Sequence, residues 1–177
     1  MAFLVQNDNG TIADANAYID VVFADAYFVD RGDEDWAGFS TTEKQAFIVL
    51  ATDYLDFRYR YIGERHTTKQ TTEWPRSNVI DESQEIRDTE IVPKIREACA
   101  ILANKAGAGV SLFPDEDFDP AGPVSSIREK VDVLEEAKTY AVNGSGANFG
   151  RTPSFPKIDR MLREFITEGQ GRVFRSS

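Results

Sequence analysis

Ser40 to Phe57 reads STTEKQAFIVLATDYLDF, and this stretch decides the fold class. Ser40-Thr41-Thr42-Glu43 is a capping box. The Ser40 hydroxyl can accept the Glu43 backbone N–H while the Glu43 carboxylate reaches back. Behind it, Ala46, Phe47, Leu50, Ala51, Tyr54 and Leu55 recur at helical spacing, and Ile48 and Val49 widen the stripe. A helix apolar around most of its circumference belongs at the centre of a core. The spacing predicts a helix from Thr41 to about Phe57.

Upstream, Phe3-Leu4-Val5 reads as a short strand followed by a polar turn at Asn7-Asp8-Asn9-Gly10. Asp20 can cap a first helix whose Val22, Phe23, Ala26 and Tyr27 share a face. Arg31-Gly32 ends it, with Gly32 suited to a left-handed conformation. Downstream, Pro93 suits the first turn of a third helix, because its missing N–H costs nothing there. Ile95, Ala98, Cys99, Leu102 and Ala106 form its face, and Gly107 stops it. A last helix starts near Pro156, with Ile158, Met161, Leu162 and Phe165 inward and Gly169 at its end.

The intervening segments are less regular. Gly63 and the run Thr67 to Thr72 read as loop, and Val79-Ile80 as a short strand. Gly107 to Pro123 reads as a linker. Ile127, Val131, Leu134 and Lys138 fit a helix, whereas Val131, Val133, Thr139 and Tyr140 fit strands. The Gly-rich run Asn143 to Gly150 after them favours an extended hairpin near residues 124–142. The expected fold is mainly α: a small bundle of about four helices with minor β elements and an extended C-terminal tail. Residues 1–110 form the helical domain. Residues 111–169 add its linker, hairpin and last helix, and residues 170–177 are the tail.

Composition narrows the function. The chain has 177 residues, and 20 Lys+Arg against 30 Asp+Glu give a net charge of −10. DNA and anionic lipid repel such a domain unless it segregates a basic patch. A single Cys and a single His exclude an internal disulfide and a Cys/His metal centre. The first base is Arg31, so no basic n-region of a signal peptide stands at the start, and a cytosolic protein is expected.

Catalysis finds little support. His66 stands in a polar loop with no nucleophile beside it, Cys99 falls in the middle of an apolar face, and no phosphate-binding glycine loop is present. Neither enzyme activity nor a cofactor is expected. Asp115, Asp117 and Asp119 alternate like calcium-loop ligands. However, Pro120 occupies the position that needs glycine and Ser126 the one that needs glutamate, so no metal is expected. The segment from Phe57 to Arg76 differs from its surroundings. Arg58, Arg60, Arg65, Lys69 and Arg76 outnumber Glu64 and Glu73, and Phe57, Tyr59, Tyr61 and Trp74 interleave with them. Basic residues and aromatics are the two ingredients of a single-strand-binding groove. The competing reading packs Tyr54, Tyr59, Tyr61 and Trp74 on the helices and pairs the arginines with the acid surplus.

A set of motifs carries a resemblance: Asn16-Ala17-Tyr18, Ala24-Asp25-x-Tyr27-Phe28, Arg31-Gly32, Trp36, Ala51-Thr52-Asp53-Tyr54-Leu55, Gln70, Trp74-Pro75-Arg76 and Pro93. Together they resemble a family of small phage and prophage proteins labelled DnaT-like single-stranded DNA-binding proteins. They are also similar to the head–tail connector (adaptor) proteins of tailed phages. The connector resemblance implies a structural virion protein in the neck, assembled in the host cytoplasm as a homo-oligomeric, dodecameric ring. The ring would sit between the portal protein and a tail terminator or neck (stopper) protein. Genomic DNA would pass through its channel without specific binding. Arg172, Val173, Phe174 and Arg175 would then be a portal-docking peptide. The alternative is a DnaT-like replication protein in which Arg58, Arg60, Tyr61, Trp74 and Arg76 form the DNA groove; the same five could instead contact a neighbouring subunit.

Overall fold

The computed structural model describes residues 2–80, 89–113, 126–131, 134–139 and 153–167, the 126–139 hairpin by its backbone alone. It forms two compact units, one of residues 1–112 and 154–177, the other of residues 113–153. The first holds four helices: α1 (Val21–Val29), α2 (Thr41–Arg58), α3 (Pro93–Gly107) and α4 (Pro156–Leu162). Two short 3-10 helices, Asp35–Gly38 and Arg163–Phe165, accompany them. A small antiparallel ladder joins β1 (Glu64–Arg65) to β2 (Arg76–Ser77), with Glu64 opposite Ser77. The second unit contains the antiparallel hairpin β3 (Ser126–Val131) and β4 (Leu134–Thr139), where an extended hairpin was expected. The fold is mainly α with minor β.

Local sequence chemistry sets the helix boundaries. The Asp20 carboxylate accepts the Phe23 N–H at 2.7 Å and starts α1. The Ser40/Glu43 capping box closes in both directions, at 2.8 Å and 3.3 Å. Pro93 opens α3. Gly32 takes the left-handed conformation, φ +64°, in the turn after α1.

α2 and α3 run antiparallel at the centre. Thr52 Oγ1 lies 3.6 Å from Cys99 Sγ, while a Cβ on Gly107 would stand 2.7 Å from Phe39 and 3.1 Å from Phe47. Cys99 is fully buried, and burial pushes its thiol up to about 12, so it packs as a small apolar side chain. α4 lies along α3 in the opposite sense: Lys105 Nζ sits 5.4 Å over the Phe155 ring, and Lys94 pairs with Glu164.

Several expectations need correction. The buried face of α1 is Ala24, Tyr27 and Phe28, whereas Val22 and Ala26 point outward. In α2 the covered line runs through Lys44, Ile48, Ala51, Thr52, Tyr54 and Leu55, leaving Ala46 and Leu50 outside. α1 is apolar nearly all round, and α2 buries polar Lys44 and Thr52 while leaving Ala46 and Leu50 outside, so spacing fixed their period and left their phase open. Phe3-Leu4-Val5 contributes a single bridge, Val5 to Ala17. The two-residue strand falls at Arg76–Ser77, ahead of Val79. α4 stops at Leu162, short of Gly169, because Ile166 turns out to bridge with Tyr61. The Trp74-Pro75 peptide is cis.

Candidate nucleic-acid interface

The five residues expected to form a groove do not share a surface. Trp74 is fully buried between Tyr61 and Phe165, with ring centroids 5.6 Å and 5.8 Å away. Tyr61 is buried, and its hydroxyl donates to the Leu55 carbonyl at 3.1 Å, satisfying the end of α2. Arg76 is also buried. Its Nε donates to Ile62 O at 2.8 Å, one terminal nitrogen to Gly63 O at 2.8 Å, and the other to the Glu73 carboxylate at 2.6 Å. No base could stack on rings whose faces are covered, and no phosphate could reach a guanidinium spent on carbonyls. These three residues build the core beneath the expected groove. Arg58 and Arg60 remain exposed.

The other resemblance motifs are structural too. The Tyr18 backbone N–H donates to Thr52 Oγ1 at 3.2 Å, and the Trp36 indole N–H to Asp25 at 2.8 Å. Buried Gln70 donates from Nε2 to both Thr72 O and Pro75 O at 2.9 Å. His66 Nδ1 faces Ser77 Oγ at 2.9 Å, beside the β1–β2 ladder.

Tertiary structure assembles a surface that the linear order hides. The chain leaving α2 runs antiparallel to the chain leaving α4. Ile62 N donates to Phe165 O at 2.9 Å, and Thr167 N to Arg60 O at 2.8 Å. One turn away, the Tyr59 hydroxyl donates to Asp159 at 2.6 Å. Burial and the Asp159 charge hold that phenol well above its usual range, so it stays a donor. These bonds join the segment that carries Arg58 and Arg60 to the chain around α4, whose Ile158 and Leu162 point inward and whose Lys157 and Arg160 are exposed, as is Arg163 just after it. Residues 57–60 and 156–167 carry five bases against two acids, a local +3 in a chain of −10. Both acids already hold internal donors: Asp159 accepts from Tyr59 and Ser154, and Glu164 from Lys94. Phe57, 72% exposed, stands at the edge of this surface.

Lys157, Arg160 and Arg163 were missed because they lie about a hundred residues from Arg58 in the chain. Their three-residue spacing, opposite Ile158, Leu162 and Phe165, was the available signal. Asp115, Asp117 and Asp119 lie outside the described residues, as do Arg172, Val173, Phe174 and Arg175. Among the described residues no cluster of His, Cys, Asp and Glu could hold a metal, and no helix is long and apolar enough to cross a membrane.

A family model described as "Putative DnaT-like ssDNA binding protein" matches residues 1–176. No curated protein and no solved structure matches the chain. The DnaT-like part of the resemblance is therefore supported over the whole chain, and the connector part finds no support.

Proposed function

Since the chain belongs to the DnaT-like single-stranded DNA-binding family, we propose that it binds single-stranded DNA across the surface where the chain leaving α2 pairs with the chain leaving α4. The observation that carries this reading is the antiparallel pairing of residues 60–62 with 165–167, which joins two basic segments into one patch. Arg58, Arg60, Lys157, Arg160 and Arg163 neutralise phosphates. Exposed Phe57 offers one ring face for base stacking, which tolerates any sequence. The acid surplus elsewhere repels the same strand and limits non-specific affinity. The patch has few aromatics and no base-reading set, so binding follows the backbone.

The test is anisotropy of a labelled single-stranded oligonucleotide at low salt. The unmodified chain should bind. Arg58→Ala/Arg60→Ala and Arg160→Ala/Arg163→Ala should each weaken binding about tenfold or more, with folded spectra intact. Absence of binding at low salt, or affinity unchanged from the unmodified chain in both double variants, would overturn the proposal.

A further inference from the structure

α1 is apolar on every side, yet its own fold covers only one of them. Ala24, Tyr27 and Phe28 face the core. Val22, Ala26 and Val29, at positions i, i+4 and i+7, line the opposite face, and Val22 and Val29 are 75% and 77% exposed. A helix apolar all round is ordinarily buried all round. The rim of this stripe is acidic. Asp20 caps one end, Asp30 the other, and exposed Glu34 and Asp35 follow in the next turn. Arg31, the one base among the first forty residues, is folded back 3.5 Å over the Tyr27 ring. The complementary ligand is a short apolar segment flanked by cations.

Two segments of the chain set a pair of apolar residues between two arginines. Arg160-Met161-Leu162-Arg163 has its Leu162 buried in the core. Arg172-Val173-Phe174-Arg175, beyond the described residues, is the other. Its reach decides which copy it serves. Thr167 is tied to Arg60, beyond the end of α2, whereas α1 meets the start of α2, where Asp25 pairs with Lys44 at 2.8 Å. Lys44 to Arg60 spans about 24 Å at ~1.5 Å per residue. Phe174 lies seven residues past Thr167, at most ~24 Å of fully extended chain. No length is left for turning onto the outer face of α1, so a chain's own segment does not settle there.

We propose that Arg172-Val173-Phe174-Arg175 of one copy docks on the Val22-Ala26-Val29 face of a second copy. Phe174 covers the valines, and the two arginines meet Asp30 and Glu34. Donor and acceptor surfaces differ, so the contact is head-to-tail and can propagate or close.

Sedimentation equilibrium of the full chain over a wide concentration range tests this. Mass should rise with concentration, and Phe174→Ala and Val29→Asp should each weaken association about tenfold. Val29 lies off the core, and circular dichroism checks the folding of both variants. Charge exchange tests the pairing itself. Arg172→Glu/Arg175→Glu and Asp30→Lys/Glu34→Lys should each fail to associate alone, yet form a complex when mixed. A monomer at every concentration would overturn the proposal, as would association indifferent to Phe174→Ala or charge-exchanged chains that ignore each other.

Discussion

The Tyr18 hydroxyl donates to Asp56 Oδ1, while the other oxygen of Asp56 accepts the Glu73 backbone N–H at 3.1 Å. Tyr18 in turn accepts the Trp74 N–H at 3.1 Å, so one carboxylate ties the N-terminal segment, α2 and the Trp74-Pro75-Arg76 loop together. Desolvation pushes this carboxyl up to about 7. The two hydrogen bonds pull against it, and the charges of Glu73 and Asp53 add to it. Buried Tyr61 and Cys99 also face it.

The first prediction concerns pH. Between pH ~4, where an unfolded aspartate titrates, and pH ~7, the folded chain keeps a proton that the unfolded chain has released. The Asp56 contribution therefore weakens as pH rises through that window and levels off above it. Urea unfolding at pH 5 and pH 7.5 should show the advantage of the unmodified chain over Asp56→Asn shrinking by on the order of 2 kcal/mol. An advantage that grows with pH would place the Asp56 charge in the folded state.

Arg76 distributes its donors over four loop carbonyls and one carboxylate. A lysine keeps the charge but cannot present a planar fork. Arg76→Lys should cost roughly 2–3 kcal/mol of stability through unsatisfied buried acceptors. Oligonucleotide affinity of the folded fraction should not change. Equal stability with lost DNA binding would return Arg76 to the interface.

Trp74→Ala should behave in the same way and more strongly. The ring is fully buried against Tyr61 and Phe165, and truncation costs ~3–5 kcal/mol when a cavity remains. Differential scanning calorimetry would show a large fall in Tm. Loss of DNA affinity without loss of Tm would contradict the core placement.

Much of this fold was legible because its signals are local. Asp20, the Ser40/Glu43 box and Pro93 act on backbone groups within one turn, and each helix begins where its cap predicts. Which face of α1 or α2 is covered depends on partners far along the chain, which neither the all-round apolar α1 nor the mixed face of α2 encodes. The Arg and aromatic interleaving between Phe57 and Arg76 left two readings open for a related reason, and the structure bears out the one that packs Tyr54, Tyr59, Tyr61 and Trp74 in the core. Alternation of Tyr61 and Trp74 with arginines describes a stacking groove and a packed aromatic core equally well. Only the arrival of Phe165 over Trp74 distinguishes them. The same arrival pairs the chain after α2 with the chain after α4, so the core placement of Trp74 and the overlooked bases of α4 depend on one long-range contact.

Gly63 gives a backbone test. It holds φ +71°, and a Cβ there would stand 2.4 Å from the Ser77 carbonyl oxygen across the β1–β2 turn. Gly32 holds φ +64° with open space around it. Gly32→Ala should cost about 1 kcal/mol, the conformational term alone. Gly63→Ala adds a backbone clash and should cost ~2–4 kcal/mol, read as the shift in urea midpoint. Equal costs would mean that the turn rearranges freely.

The DNA proposal makes a quantitative claim about salt. Each phosphate neutralised on a single strand contributes about −0.7 to the slope of log affinity against log salt. Five cations from residues 58 to 163 set a slope of about −3.5, so affinity should fall about a hundredfold between 50 and 200 mM salt. Arg58→Ala/Arg60→Ala should shallow the slope by about 1.4, as should Arg160→Ala/Arg163→Ala, because each removes two contacts. Phe57→Ala should instead lower affinity by ~1–3 kcal/mol at every salt concentration and leave the slope alone, since stacking releases no counterions. A slope near zero would point to stacking as the source of affinity. A slope unchanged in both arginine variants would place the phosphates elsewhere on the molecule.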